Sequence, residues 1–160
     1  MQKVLRYWPV VAIYSVSLLF GWWWSGQSEV SELHEFLTGF MGSFLILFSA
    51  MKLRDINGFA ERFSTYDLIA KKYWWYGQLF PFIELSLGVL MLVKHTRGVD
   101  IAMIVLALVG IAGVYKSILK KERLYCACLG TTFNLPLSYI AIFENVTMLG
   151  VGTAMLLIAR

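Results

Sequence analysis

Five apolar runs punctuate the chain: Trp8 to Trp24, Phe36 to Met51, Gln78 to Val93, Ile101 to Leu119 and Leu135 to Ala159. A helix needs roughly 20 apolar residues to cross a bilayer, so the pattern predicts transmembrane spans over about 8–24, 31–52, 77–93, 100–119 and 134–159. The first run reads as a span rather than a cleaved signal, because it is long, ends in Trp22-Trp23-Trp24 and offers no small-residue cleavage site. The second reaches full length if its helix starts near Ser31, where Ser-Glu-Leu-His-Glu supplies an N-cap and an acidic first turn. Pro81 falls early enough in the third for its missing N–H to be tolerated. Between the second and third runs, Ile56, Phe59, Ala60, Phe63, Tyr66, Leu68 and Ile69 recur at helical spacing among Arg62, Asp67, Lys71 and Lys72. That spacing predicts an amphipathic helix lying in the inner headgroup region. Gly39 and Gly42, and Ala107 with Gly110 and Gly113, would let backbones approach closely. No repeat, linker or low-complexity stretch interrupts the chain. The expected architecture is one all-α integral membrane domain over residues 1–160, a bundle of about five transmembrane helices, or a four-helix core, plus the interfacial helix.

Composition removes the main alternatives. With 59% apolar and 15% charged positions in 160 residues, no large soluble catalytic domain fits beside the spans. Basic residues lie in short blocks next to apolar runs, which argues for topology determinants and against a nucleic-acid surface. Placing the N-terminus in the cytoplasm puts Lys3, Arg6, Lys52, Arg54, Arg62, Lys71, Lys72, Lys116, Lys120, Lys121 and Arg123 inside, against Lys94, Arg97 and Arg160 outside. This asymmetry predicts a multi-pass protein of the bacterial inner membrane with a periplasmic C-terminus. Tyr7-Trp8, Tyr73-Trp74-Trp75-Tyr76 and Tyr125 form the expected inner aromatic belt, and Trp22 to Trp24 the outer one.

The chemistry-bearing residues are few. Cys126-Ala127-Cys128 is the only cysteine pair, placed after Lys120, Lys121 and Arg123 and before the last span, hence at the cytoplasmic face. Side chains two residues apart point about 200° apart on a helix, so both thiols serve one centre only in a turn, which Gly130 and Pro136 favour. Such a pair chelates Cu(I), Hg(II) or Zn(II) as thiolates, or closes a small, easily reduced disulfide ring. The nearby cations favour the reactive thiolate. The plain reading is two small hydrophobes near an interface, and a permanent disulfide is disfavoured in a reducing compartment.

Glu84 and Glu144 are carboxylates inside apolar runs, costly in a bilayer unless paired or facing a wet interior. Helical rise puts both about 10–12 Å from the inner surface, so they can share one pocket opening toward the cysteines. Lys116 is the expected counter-charge, Asn145 and Asn134 the expected hydrogen-bond donors, and Met148 a thioether one turn beyond Glu144, though lipid or core packing explains it better. The pocket reads either as an ion network fixing helix packing or as a proton relay or metal second shell. Asp100 suits a helix start by complementing the dipole. His34 among Glu29, Glu32 and Glu35 resembles an outer metal site, but an acidic helix start already explains those carboxylates. Tyr66 and Asp67 could cover the cysteine turn. No hydrolase or transferase motif, phosphate-binding glycine loop or paired-His metal motif is present.

Three stretches together carry a resemblance: Tyr66-Asp67-Leu68-Ile69-Ala70; Tyr76 with Pro81-Phe82-Ile83-Glu84-Leu85-Ser86-Leu87-Gly88; and Cys126-Ala127-Cys128-Leu129-Gly130-Thr131 with Leu135-Pro136-Leu137-Ser138, Glu144-Asn145 and Met148. They resemble the MauE/DoxX redox-associated membrane proteins, over roughly Phe36 to Leu157. The resemblance implies a small bundle that supports maturation of disulfide-rich partners, with Cys126 and Cys128 as working thiols and Glu84 and Glu144 as motif residues. It also implies a partner of thioredoxin-like, glutaredoxin-like or heavy-metal-binding type. This chain has no such domain attached and no second cysteine pair, so a relay needs a partner, a quinone or a conformational change. Three functional classes follow: thiol redox support or soft-metal handling by the cysteine pair, a Hg or Cu transporter using Glu84, Glu144 and Met148 along its route, and a non-catalytic assembly subunit.

Overall fold

A computed structural model describes residues 8–27, 32–119 and 137–158. Its helices are α1 (Trp8–Ser25), α2 (Glu32–Leu53), α3 (Ile56–Phe63), α4 (Trp74–Val93), α5 (Arg97–Leu119) and α6 (Leu137–Ile158), and no strand occurs among the described residues. The protein is an all-α membrane bundle. Four helices, α2, α4, α5 and the Ile140–Ile158 part of α6, are long and apolar enough to cross a membrane. α1 is not among them, because its 18 residues are diluted by Pro9, Tyr14 and four Trp.

α2 is the hub. It packs along α1 on one side and α4 on the other, reaches α6 and α3, and buries Met41, Phe44, Leu45 and Phe48 almost completely. α5 pairs with α6. Close backbone crossings explain the glycines of α2. A Cβ on Gly42 would stand 3.2 Å from the Gly88 carbonyl oxygen of α4, and one on Gly39 would stand 3.1 Å from Gly21 Cα of α1. Large apolar side chains such as Leu19, Val93, Val105, Leu108, Phe143 and Leu157 face outward, as a lipid-facing surface requires. Trp22, Trp23, Trp74 and Trp75 are exposed at helix ends, where an interfacial belt sits.

Two boundaries differ from expectation. α4 starts at Trp74 and α5 at Arg97, each three residues earlier than the apolar pattern alone indicates, because the belt aromatics and the Arg97–Asp100 turn are already helical. The amphipathic helix is present but short. Asp55 caps it by accepting the Gly58 N–H at 3.0 Å, and its apolar face of Phe59, Ala60 and Phe63 is buried. That face turns to the bundle itself: Phe63 lies 4.5 Å from Phe80 of α4 between ring centroids. The remainder to Lys72 is a series of turns rather than helix. The proposed N-cap Ser31 lies outside the described residues.

Candidate functional site

Lys52 closes the last turn of α2, where a cation complements the helix dipole, yet it is only 2% exposed. Its ammonium donates to Glu84 Oε1 at 2.8 Å and Oε2 at 2.6 Å on α4, and to Glu144 Oε1 at 2.6 Å on α6. Glu84 and Glu144 are 1% and 3% exposed. The rings of Phe48, Phe59 and Phe80 surround the ammonium at 5.9, 5.6 and 5.2 Å from their centroids, adding cation–π attraction on its apolar side. Three helices are thus tied together by charge-assisted bonds in a place sealed from solvent. Charges so buried are tolerated only because they are paired.

A cavity of about 10 Å³ remains beside the carboxyl groups, room for about one water molecule. Its walls include Phe63 and Tyr66 from the α3 side, Gly110 of α5, and Ala141 and Asn145 of α6. The missing side chain at Gly110 matters here, since a Cβ would meet Asn145 Nδ2 at 2.9 Å. A second cavity of about 340 Å³ is lined by Tyr66, Leu68, Lys71, Lys72, Lys116 and Ser117. Tyr66, 4% exposed, lines both.

The turn that carries Tyr66 is built locally. The Asp67 N–H donates to the Phe63 carbonyl at 3.0 Å, and Asp67 Oδ1 accepts the Ile69 and Ala70 N–H groups at 2.9 Å each. Burial pushes the Asp67 carboxyl above its ordinary value, and the Ala70 and Ile69 N–H groups pull the other way. Gly113 lets α5 come against this turn: a Cβ there would stand 2.8 Å from the Tyr66 carbonyl oxygen. The Tyr66 to Ala70 stretch is therefore a cover over the ion cluster, held by backbone bonds and by α5.

The expected acid pair is brought together, but its counter-charge is corrected. Lys52 holds both carboxylates, whereas Lys116 is exposed and lines the larger cavity. Lys52 was legible as a buried residue only through α3, which folds back over the end of α2; counted along the chain it looks like a topology charge. Asn145 lines the small cavity, though its amide donates to the Ala141 carbonyl of its own helix at 2.7 Å. Met148 is 1% exposed within the core cluster and does not line the cavity. Cys126, Cys128 and Asn134 lie outside the described residues.

At the opposite end, Asp100 sits in the first turn of α5 and pairs with His95 Nε2 at 2.9 Å. The His34 ring contacts the His95 ring edge-on at 4.9 Å, and Trp24 donates to Glu35 at 3.1 Å. Among the described residues no group of three His, Cys, Asp or Glu side chains is arranged to hold a metal ion.

The family model described as methylamine utilisation protein MauE matches residues 30–159. This chain belongs to the MauE family. The matched region contains every residue of the ion cluster, its cover, and the Cys126-Ala127-Cys128 segment. Neither a curated protein nor a solved structure shows significant similarity to this MauE-family chain.

Proposed function

We propose that this MauE-family membrane protein supports the maturation of a disulfide-containing partner through thiol–disulfide exchange at Cys126 and Cys128. The observation that carries the reading is the family match over residues 30–159, a range that includes the cysteine segment and the buried acid pair. Connectivity supports it. The segment joins Leu119 of α5 to Leu137 of α6, and Glu144 lies two turns into α6, about 10 Å by helical rise. In the exchange, a thiolate of the pair attacks a partner disulfide and forms a mixed disulfide; the second thiolate resolves it. The pair ends as a disulfide, and the partner's two sulfurs take up the two electrons and two protons. A topology with α1 as a fifth crossing and the N-terminus inside follows the basic-residue count and places this chemistry at the cytoplasmic face of a bacterial inner membrane.

The test is trapping in the native membrane. In Cys126→Ser or Cys128→Ser one mixed disulfide with a thioredoxin-like protein accumulates, and the double variant traps nothing. Stoichiometric Cu(I) or Hg(II) binding that requires both thiols, with no mixed disulfide, would replace exchange by soft-metal handling. Full partner maturation by the double Ser variant would leave a non-catalytic assembly role.

A further inference from the structure

The ion cluster does more than join helices. Its two carboxyl groups face one ammonium, and among the described residues lining the cavity Lys52 is the only cation. With both carboxylates ionised, the site carries a net negative charge in a sealed, aromatic-walled place, a costly arrangement. One more positive charge balances it. The free space, about 10 Å³, is too small for a hydrated metal ion and adequate for about one water, so the charge that fits is a proton. An ion bridging the acids would also have to displace the ammonium, which already occupies three of their oxygens at 2.6 to 2.8 Å.

We propose that Glu84 and Glu144 share one exchangeable proton, and that Tyr66 is the gate through which it exchanges with the aqueous cavity ringed by Lys71, Lys72 and Lys116. The gate is assigned by geometry, because among the described residues Tyr66 is the one common to both cavities and is nearly sealed itself. Its ring packs edge-on against Phe63 at 5.4 Å, and its backbone carbonyl rests against Gly113 beside the Asp67 turn. That turn is non-helical and is closed by the Asp67 side-chain bonds to Ile69 and Ala70 together with the Asp67 N–H bond to the Phe63 carbonyl, so it opens when these few bonds break. The other titratable groups facing the cluster are Tyr14 of α1, whose hydroxyl is bonded to Thr147 of α6 at 2.7 Å, Tyr76 of α4, and Asp67 itself. Among the described residues α5 contributes Gly110 to the cavity lining, with no side chain there.

The test uses the purified full-length chain in nanodiscs, followed by infrared spectroscopy on transfer from H₂O to D₂O. Wild type shows a protonated-carboxyl stretching band at neutral pH. The band is lost in Glu84→Gln and also in Glu144→Gln, since either leaves one carboxylate balanced by Lys52. Tyr66→Leu speeds deuterium exchange of the band by about tenfold or more, while Tyr66→Phe stays within about twofold of wild type. If Tyr66→Leu does not fold, Tyr66→Trp takes its place and slows the exchange. No band in wild type, or a band surviving either Gln substitution, overturns the shared proton. An exchange rate indifferent to residue 66 overturns the gate. The Cys126→Ser/Cys128→Ser variant keeps both signals, so this proposal and the thiol reading fail separately.

Discussion

Removing the ammonium from the cluster is the most demanding test of the packing argument. Lys52→Met keeps the apolar stem and nearly the same volume among Phe48, Phe59 and Phe80, so little cavity is created. What is lost is the Nζ group, with its bonds of 2.8, 2.6 and 2.6 Å to Glu84 and Glu144. Two buried carboxyl groups are then left facing each other without a cation. Breaking one side of a buried ion pair costs roughly 3–5 kcal/mol, mostly because the remaining charge cannot return to water. Lys52→Met should therefore lower the unfolding free energy by about 3–5 kcal/mol in reversible SDS unfolding from mixed micelles, followed by far-ultraviolet circular dichroism. Adding Glu84→Gln and Glu144→Gln removes the charges as well as the partner, and two carboxamides can bond each other, so the triple variant should recover most of the loss. A cost below about 1 kcal/mol for the single variant would refute the reasoning. So would a triple variant no more stable than the single one.

Three further outcomes follow from individual contacts. Gly88→Leu, whose side chain must enter between Ile46, Leu45 and the Gly42 carbonyl oxygen 2.9 to 3.0 Å away, should cost about 1–3 kcal/mol in the same assay, whereas Gly150→Leu, with open space around it, should stay within about 0.5 kcal/mol of wild type. Asp55→Ala removes the cap of α3 and should weaken amide protection of Phe59 to Phe63 by about 1 kcal/mol in hydrogen exchange. Asp67 has a carboxyl raised in the folded state, so its contribution is most favourable at low pH and is lost as pH rises through the raised value. Asp67→Asn keeps an acceptor for Ile69 and Ala70 without the buried charge; protection of those two amides relative to wild type should rise between about pH 4 and pH 7, and a fall would contradict the burial argument.

Much of this protein was written in its local pattern. Runs of about 20 apolar residues bounded by Trp, Tyr and Lys can satisfy their backbone in a bilayer only as helices, so the order and ends of the long helices follow from chain statistics within about three residues. The acid pair was legible for the same reason. A carboxylate is too costly in a span to be accidental, and similar distances from the starts of their spans placed Glu84 and Glu144 at one depth. The glycines of α2 and α5 also announced close crossings, although not with which neighbours.

Tertiary structure alone decided who answers those acids and what covers them. Lys52 and Lys116 both sit near the C-terminal ends of helices, and nothing in their flanking residues separates them. The distinction is made by α3, which turns its Phe59 and Phe63 face onto α4 and closes Lys52 away from water, while Lys116 stays open beside Tyr66. Periodicity records that a face is apolar but not what it will lie against, because lipid and a neighbouring helix are equally good apolar partners. Only the fold supplies the choice, and with it a sealed charge cluster under a tyrosine cover.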